Sequence, residues 1–287
     1  MPELPEVETI TRLLRDGSGD YQNSIIGCQV ARADLLWERT LAAPASGKFH
    51  ELIVGQTIQS LMRRGKFLVF SLLDYTLLIH LRMSGDMRME SARNDLGKPK
   101  SFKKHDRLAL EFNNGQRLVF NDTRKFGRAW LVKNPSEVLG NLGPEPLDNA
   151  LTPGTFFSRL HARRRQLKPL LMDQCFLAGL GNIYTDEALH LAKLHPLASS
   201  DQVTQEESAR LLAAIREVLS EGIQRNGASI DWVYRGGDFQ NHFRVYGRTG
   251  EPCPVCGTAI ERITVGQRGT HFCPRCQVCA KPKNPVQ

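Results

Sequence analysis

A proline directly after the initiator methionine, with glutamates at positions 3, 6 and 8, is the first group of residues with chemistry in it. Removal of Met1, routine before a small residue, leaves Pro2 with a secondary α-amine. An α-amine titrates near neutral pH and is far more easily deprotonated than a lysine. Held beside Glu3 and Glu6 on a rigid element, it could act as a nucleophile with its acid–base partners. Leu4, Val7, Thr11 and Leu14 recur at helical spacing with Ile10 beside them, so one face can dock on a core. Pro5 fits a helix start, and the acidic residues suit its positive end. Taken alone, these residues are better explained by an acidic helix start that docks the chain terminus and does no chemistry.

The second group is Cys253-Pro-Val-Cys256 and Cys273-Pro-Arg-Cys276, separated by sixteen residues. Two CxxC knuckles at this spacing can close a tetrahedral four-cysteine zinc site, and four protein ligands leave no open position, so the one zinc ion expected here is structural. Between the knuckles Ile260, Ile263 and Val265 lead into Gly266-Gln-Arg-Gly269 and then Thr270, His271 and Phe272. This reads as a β-hairpin finger with Arg268 at its tip, where a cation suits phosphate contact. Cys279 adds another CxxC step and reads as a spare thiol or an alternative ligand; His271 reads as packing. Cys28 and Cys175 stand apart and read as buried, reduced thiols.

Weaker groups follow. Gly179-Leu-Gly-Asn182 opens a helix, where glycines and N-terminal amides can meet a phosphate. Arg63-Arg-Gly-Lys66 enters a strong strand, and His80-Leu-Arg-Met83-Ser-Gly85 leaves its neighbour. Asp122-Thr-Arg124-Lys-Phe126-Gly127 follows another strand. Each puts cationic or large apolar side chains at a strand end, from which they could enter a groove. The densest basic run, Arg159 to Lys168, has the ordinary explanation of a solvated face.

These groups need elements to position them. The chain of 287 residues suggests two domains. Its 41% hydrophobic and 24% charged residues are ordinary for a globular protein, so the net charge of +8 is the departure and argues for a polyanionic partner, nucleic acid before membrane. No apolar run approaches the length of a membrane span: Phe67 to Leu81 is broken by Asp74 and His80. The early glutamates argue against a secretory signal, and the cytoplasm is the expected compartment. From about Gly27 to Val132 the pattern is strand-like. Leu108, Leu110 and Phe112 alternate up to Asn113-Asn114-Gly115, and Leu118 and Phe120 alternate away from it, a hairpin signature. Lys66–Leu73 and Tyr75–Met83 read as a second pair of strands. An all-β sandwich or barrel carrying the N-terminal helix is expected over 1–133, with a Pro-, Gly- and Asn-rich linker over 134–152. Beyond it the period is helical: Thr152-Pro153 starts one helix, Gly181 to Leu194 forms another, and Thr204-Gln-Glu-Glu207 is a capping box for a long one stopped by Gly227. This predicts a helical region over 153–236 and a metal-braced finger within 237–287.

In combination the groups say more. Pro2-Glu-Leu-Pro-Glu-Val-Glu-Thr9, Arg63-Arg-Gly-Lys66, Met83-Ser-Gly85, Arg124-Lys-Phe126-Gly127, Gly179-Leu-Gly-Asn182-Ile-Tyr184 and the four-cysteine hairpin occur in this order. Together they closely resemble the formamidopyrimidine-DNA glycosylase family, bacterial repair enzymes for oxidised purines. The resemblance runs from Pro2 to about Gln277, and its specific parts are the N-terminal octet and the finger.

The resemblance implies an α+β fold: an N-terminal β-sandwich with an N-terminal helix, a C-terminal helix–two-turn–helix domain and a four-cysteine zinc β-hairpin finger. It implies a bifunctional DNA glycosylase and abasic-site lyase, nucleoid-associated, acting on double-stranded DNA with oxidised bases or abasic sites; nothing in the sequence requires an oligomer, and a monomer is expected. By the same resemblance Pro2 attacks C1′ and forms an iminium, Glu3 supplies acid–base function at the sugar, and Glu6 supports it. Lys66 serves acid–base work in the lyase half, and Arg268 binds phosphate and serves the second elimination. Met83, Arg124 and Phe126 match the wedge that fills the space of an extruded base, and His105, Arg164, Lys168 and Asn182 match phosphate contacts. Two departures stand out: Arg82 precedes Met83 where the family often has Gly, and Asp231 to Gln240 has no residue-by-residue match to the lesion-capping loop. A sibling enzyme for oxidised pyrimidines is the nearer alternative, disfavoured by Leu4 and the Arg124/Phe126 pair. A non-catalytic zinc-dependent DNA-binding protein is the other, disfavoured by Pro2, Glu3 and Lys66.

Overall fold

The computed structural model describes residues 1–17, 23–229 and 236–278, which form two compact units. One comprises residues 1–141 together with 226–237, the other residues 142–225 together with 238–287.

In the first unit helix α1 (Leu4–Asp16) precedes a run of strands: β1 (Val30–Leu35), β2 (Leu41–Ala43), β3 (Ile58–Arg64), β4 (Phe67–Leu72), β5 (Thr76–His80), β6 (Gly85–Ser91), β7 (Asp106–Phe112), β8 (Gln116–Asp122) and β9 (Arg128–Val132). Helix α2 (Ser46–Ile53) lies between β2 and β3, and the short α3 (Ser136–Leu139) follows β9. The strands form a four-stranded sheet, β1-β7-β8-β6, and a five-stranded sheet, β2-β9-β5-β4-β3. All pairings are antiparallel except β2 with β9. Val7, Ile10 and Leu14 of α1 share one buried core with Leu61, Phe70 and Ile79 of the larger sheet and Leu108, Phe112 and Phe120 of the smaller. One core fed by facing sheets is a sandwich. The predicted hairpin is β7–β8, turning at Asn113–Gly115 with Gly115 at φ +81°. The second predicted pair is β4–β5, in register from Phe67 opposite His80 to Ser71 opposite Thr76.

The second unit holds α4 (Pro153–His161), α5 (Leu167–Leu171), α6 (Asn182–Leu191) and α7 (Gln205–Gln224), then the hairpin β10 (Glu261–Val265) and β11 (Arg268–Phe272). Thr152 caps α4 by accepting the Thr155 N–H at 3.2 Å. The capping box of α7 forms in full, with the Glu207 N–H donating to Thr204 Oγ1 at 3.2 Å and the Thr204 N–H to Glu207 Oε2 at 2.9 Å. This helix ends at Gln224, before Gly227. Residues 142–151 are tied down in this unit: Arg216 donates to the carbonyls of Pro146, Asp148 and Leu151 at 2.7–2.9 Å. Cys28 is buried as expected, whereas Cys175 is exposed, because it sits in the turn that follows α5, with its N–H donated to Asp173 Oδ1 at 3.0 Å. Among the described residues no helix is long and apolar enough to cross a membrane.

Candidate active site and nucleic-acid interface

The N-terminus is held, and the reason is local before it is tertiary. Glu3 is the N-cap of α1 and Glu6 its third helical residue, so the two form a reciprocal capping box. Glu6 Oε2 accepts the Glu3 N–H at 2.7 Å, and Glu6 Oε1 accepts the Ala228 N–H at 2.8 Å. A single carboxylate thus joins the start of the chain to a segment more than two hundred residues later. Pro2 is buried, and Glu3 and Glu6 are each 2% exposed. Gly227 makes this possible: its φ is +79°, and a Cβ there would lie 2.7 Å from Glu6 Oε1. Gly237 abuts Gly227 just as closely, a Cβ at 237 falling 2.4 Å from the Gly227 carbonyl oxygen.

Helix α1 packs on β3 and β4, whose connecting turn carries Lys66, buried at 4% exposure. Glu8 fixes this packing, accepting from Arg63 Nε at 2.9 Å and from Arg12 Nε at 2.8 Å. Burial works to raise the Glu8 carboxyl, but the two guanidiniums outweigh it and hold it below the usual carboxylate range. His80, at the end of β5, is pushed down to about 3 by burial first and then by Arg82 and Lys66, so its ring is neutral and Nδ1 accepts the Arg82 N–H at 3.0 Å. Pro2, Glu3, Glu6 and Lys66 therefore belong to one unit and to elements in mutual contact.

Two loops of the same unit carry the predicted wedge. Met83 is half-buried, beside an exposed Arg82 whose φ of +56° lies in the region that glycine favours. Arg124 and Phe126 are exposed, Phe126 at 49%, with the Arg124 guanidinium 5.2 Å from the Phe126 ring centroid. Lys125 between them stacks on Trp37 at 3.9 Å. His105 is half-buried, its Nδ1 3.3 Å from Arg107 Nη2.

The remaining predicted residues lie in the second unit. Arg268 is exposed as the first residue of β11, one position past the turn, and with Arg165 and Asp173 it lines a cavity of about 270 Å³. Arg164 is exposed, its Nε 3.7 Å from Asp201. Lys168 differs from a solvated basic face: it is fully buried, with its ammonium against Asp186 and 3.1 Å from the Asn182 carbonyl oxygen. The Asn182 side-chain amide donates to the Gly269 carbonyl at 3.1 Å, so it braces the hairpin one residue from Arg268. Sequence reasoning passed over the carboxylates behind this arrangement. Asp186 accepts the His271 N–H at 2.9 Å, and Glu187 accepts the N–H groups of Arg244, Val245 and Tyr246 at 2.8–2.9 Å. Two adjacent acidic residues inside a predicted helix were the available signal; the structure buries both, at 1% and 0% exposed.

Cys253, Cys256, Cys273 and Cys276 bring their sulfurs within 4.8 Å of one another. The Cys253–Cys276 and Cys256–Cys273 separations are 3.9 and 3.4 Å. A tetrahedron of Zn–S bonds places its sulfurs roughly 3.8 Å apart, so the cluster fits one structural zinc ion. His190 Nε2 lies 3.3 Å from Cys253 Sγ, as an outer partner that orients a ligand. Cys279 and residues 231–235 of the Asp231–Gln240 stretch lie outside the described residues.

Known proteins match this chain region by region. Residues 1–129 match the family model of the formamidopyrimidine-DNA glycosylase N-terminal domain, residues 142–233 that of its H2TH domain, and residues 250–278 the zinc finger found in FPG and IleRS. A formamidopyrimidine-DNA glycosylase of Protochlamydia amoebophila is 41% identical, over 96% of this chain and 99% of that one. One of Chloroflexus aurantiacus is 44% identical, over 97% and 98%. Among solved structures, MutM in complex with DNA containing carbocyclic 8-oxo-G has a TM-score of 0.86 at 37% identity, over 96% of this chain and 100% of that one. Lactococcus lactis Fpg in complex with DNA containing FAPY-dG gives 0.85 at 36%, with the same coverage. The fold is that of a DNA glycosylase of base-excision repair. The chain belongs to the formamidopyrimidine-DNA glycosylase family.

Proposed function

We propose that this chain excises oxidised purines, 8-oxoguanine and formamidopyrimidines, from double-stranded DNA and then cleaves the abasic site by β,δ-elimination through Pro2. The observation that carries this is the fixed chain start: Pro2 and Glu3 are buried at the head of a helix whose Glu6 carboxylate is bonded on both oxygens to backbone amides. A nucleophile held in this way gives up little entropy on meeting the sugar.

With Met1 removed, the Pro2 nitrogen attacks C1′ and the base departs with the glycosidic electron pair, taking a proton. The attacking nitrogen loses its own proton, the C1′–O4′ bond opens, and Glu3 delivers a proton to O4′, leaving a cationic iminium between Pro2 and C1′. That cation acidifies C2′. Lys66 serves the proton transfers of the lyase half as the 3′-phosphate leaves, and a second elimination releases the 5′-phosphate with Arg268 on it. Water hydrolyses the iminium and restores the amine. Met83, Arg124 and Phe126 fill the space of the extruded base, and His105, Arg164 and Asn182 take phosphates. Lys168, being buried, acts from behind by fixing the Asn182 segment. The zinc ion, held by the four cysteines, keeps the hairpin folded and takes no part in bond making.

Borohydride reduction with an 8-oxoguanine duplex tests this. Trimmed protein is expected to become covalently attached to DNA through Pro2, while Glu3→Gln slows excision on the order of 10²–10⁴-fold, the range for a general acid–base group. Full-speed excision and nicking by trimmed Pro2→Gly would overturn the proposal, and binding without an adduct would favour a non-catalytic DNA-binding protein. Faster excision of thymine glycol than of 8-oxoguanine would move the chain to the oxidised-pyrimidine branch.

A further inference from the structure

We infer that Asp122 is the positioning residue of the wedge: its buried side chain locks the Met83 loop to the Arg124–Phe126 loop, and this lock is required for base extrusion and dispensable once the base is gone. The inference rests on the lesion excision proposed above. Asp122 is the last residue of β8, 1% exposed, and stands opposite Gly85 in the β6–β8 ladder. Its Oδ1 accepts the Ser84 hydroxyl and, at 3.2 Å, the Arg124 N–H; its Oδ2 accepts the Gly127 N–H at 2.7 Å. Ser84 Oγ accepts the same Arg124 N–H at 3.0 Å, which closes the circuit. A carboxylate that only folded its own turn would bond to Arg124 and Gly127. The bond to Ser84 reaches a different loop.

The main chain of Asp122 extends the node to a third predicted DNA contact. Its carbonyl accepts Arg107 Nε at 2.7 Å, its N–H donates to the His105 carbonyl at 2.9 Å, and Arg107 Nη2 meets His105 Nδ1. Phe120, two residues earlier and therefore on the same face of β8, is the floor beneath both loops. A Cβ at Gly85 would come 2.8 Å from its ring and one at Gly127 2.3 Å from it. Neither loop has room for a side chain where it crosses this ring, so both are seated on one surface and tied to one carboxylate.

The two half-reactions make different demands on such a part. Extruding a stacked base needs a wedge that holds its shape against the duplex, whereas an abasic nucleotide has no base to unstack. Asp122→Asn keeps the shape but replaces one acceptor oxygen with an NH2 group facing an N–H or O–H donor. It is expected to slow single-turnover excision of 8-oxoguanine about tenfold or more, the factor that one charge-assisted hydrogen bond is worth. Nicking of the same duplex carrying a preformed abasic site should change by less than about threefold, a small fraction of that barrier. The fluorescence rise of 2-aminopurine placed beside the lesion, which reports unstacking, should be lost in the variant. Ser84→Ala should shift the same ratio in the same direction by less, and Ser84→Thr, which keeps the hydroxyl, should restore it. If Asp122→Asn lacks a cooperative melting transition, the Ser84 pair decides the matter. Equal slowing of both half-reactions, or no change in the ratio, overturns the inference. A wild-type chain that excises no 8-oxoguanine sinks the proposed function instead, so the two failures are told apart.

Discussion

Gly227 shows at single-residue scale how much of the candidate site was hidden from a local reading. Its sequence position after a long helix marks a helix stop, and helices often do end in this way. The helix in fact ends at Gln224, and the constraint on Gly227 comes from Glu6. Alanine there meets two penalties: a left-handed backbone, costing about 1–2 kcal/mol, and a methyl pressed into the Glu6 carboxylate. Gly227→Ala is expected to lower stability by that order in urea unfolding and to reduce borohydride trapping, because Glu6 can no longer hold both amides. Trapping at the wild-type level would show that the close approach has no bearing on the amine. The acidic helix start at Glu3, Glu6 and Glu8 was legible, by contrast, whereas the reciprocal Glu3/Glu6 box came only with the structure. The Ala228 bond spans 222 positions and leaves no local trace.

At the scale of elements, alternation and turn chemistry gave away the antiparallel hairpins β4–β5 and β7–β8, and spacing gave away the zinc knuckles. The parallel β2–β9 pair joins strands far apart in the chain and had no such signal. Helix α6 was legible as a helix but its role was not. Residues 183–190 are all buried, so it has no polar face for the period to betray. Its two inward carboxylates serve as docking posts: Asp186 for β11 and the Lys168 ammonium, Glu187 for the 244–246 backbone. This explains why Lys168, in a basic run that looked solvated, lies in the interior. Breaking such a buried pair leaves a lone charge, at a cost of about 3–5 kcal/mol. Asp186→Asn should show that loss in denaturant unfolding, while the double variant Asp186→Leu/Lys168→Met should be milder than the single one. An additive double variant would mean that the two groups are not coupled.

For the whole molecule, the surplus of positive charge and the metal site make one joint prediction. The hairpin has little core of its own, with Val245 and Ile260 packed around the cysteines, so its fold depends on zinc. Stripping the metal with a thiol reagent should release one zinc per chain and weaken DNA binding, while the β-sheet signal in far-ultraviolet circular dichroism persists. Arg268→Ala with zinc retained should lower the slope of log affinity against log salt by about 0.9, the release of one counterion. An unchanged slope would remove Arg268 from the phosphate contacts.

The segment 226–237 returns to the first unit after the chain has spent some eighty residues building the second. During synthesis, the sandwich therefore waits for its last piece. A nascent chain can assemble both sheets and expose a trimmed proline long before the peptide that receives Glu6 has left the ribosome. On the proposed mechanism, translation order thus delays a competent amine until most of the chain is made, and a fragment stopped at residue 141 would carry the proposed reagent without its holder.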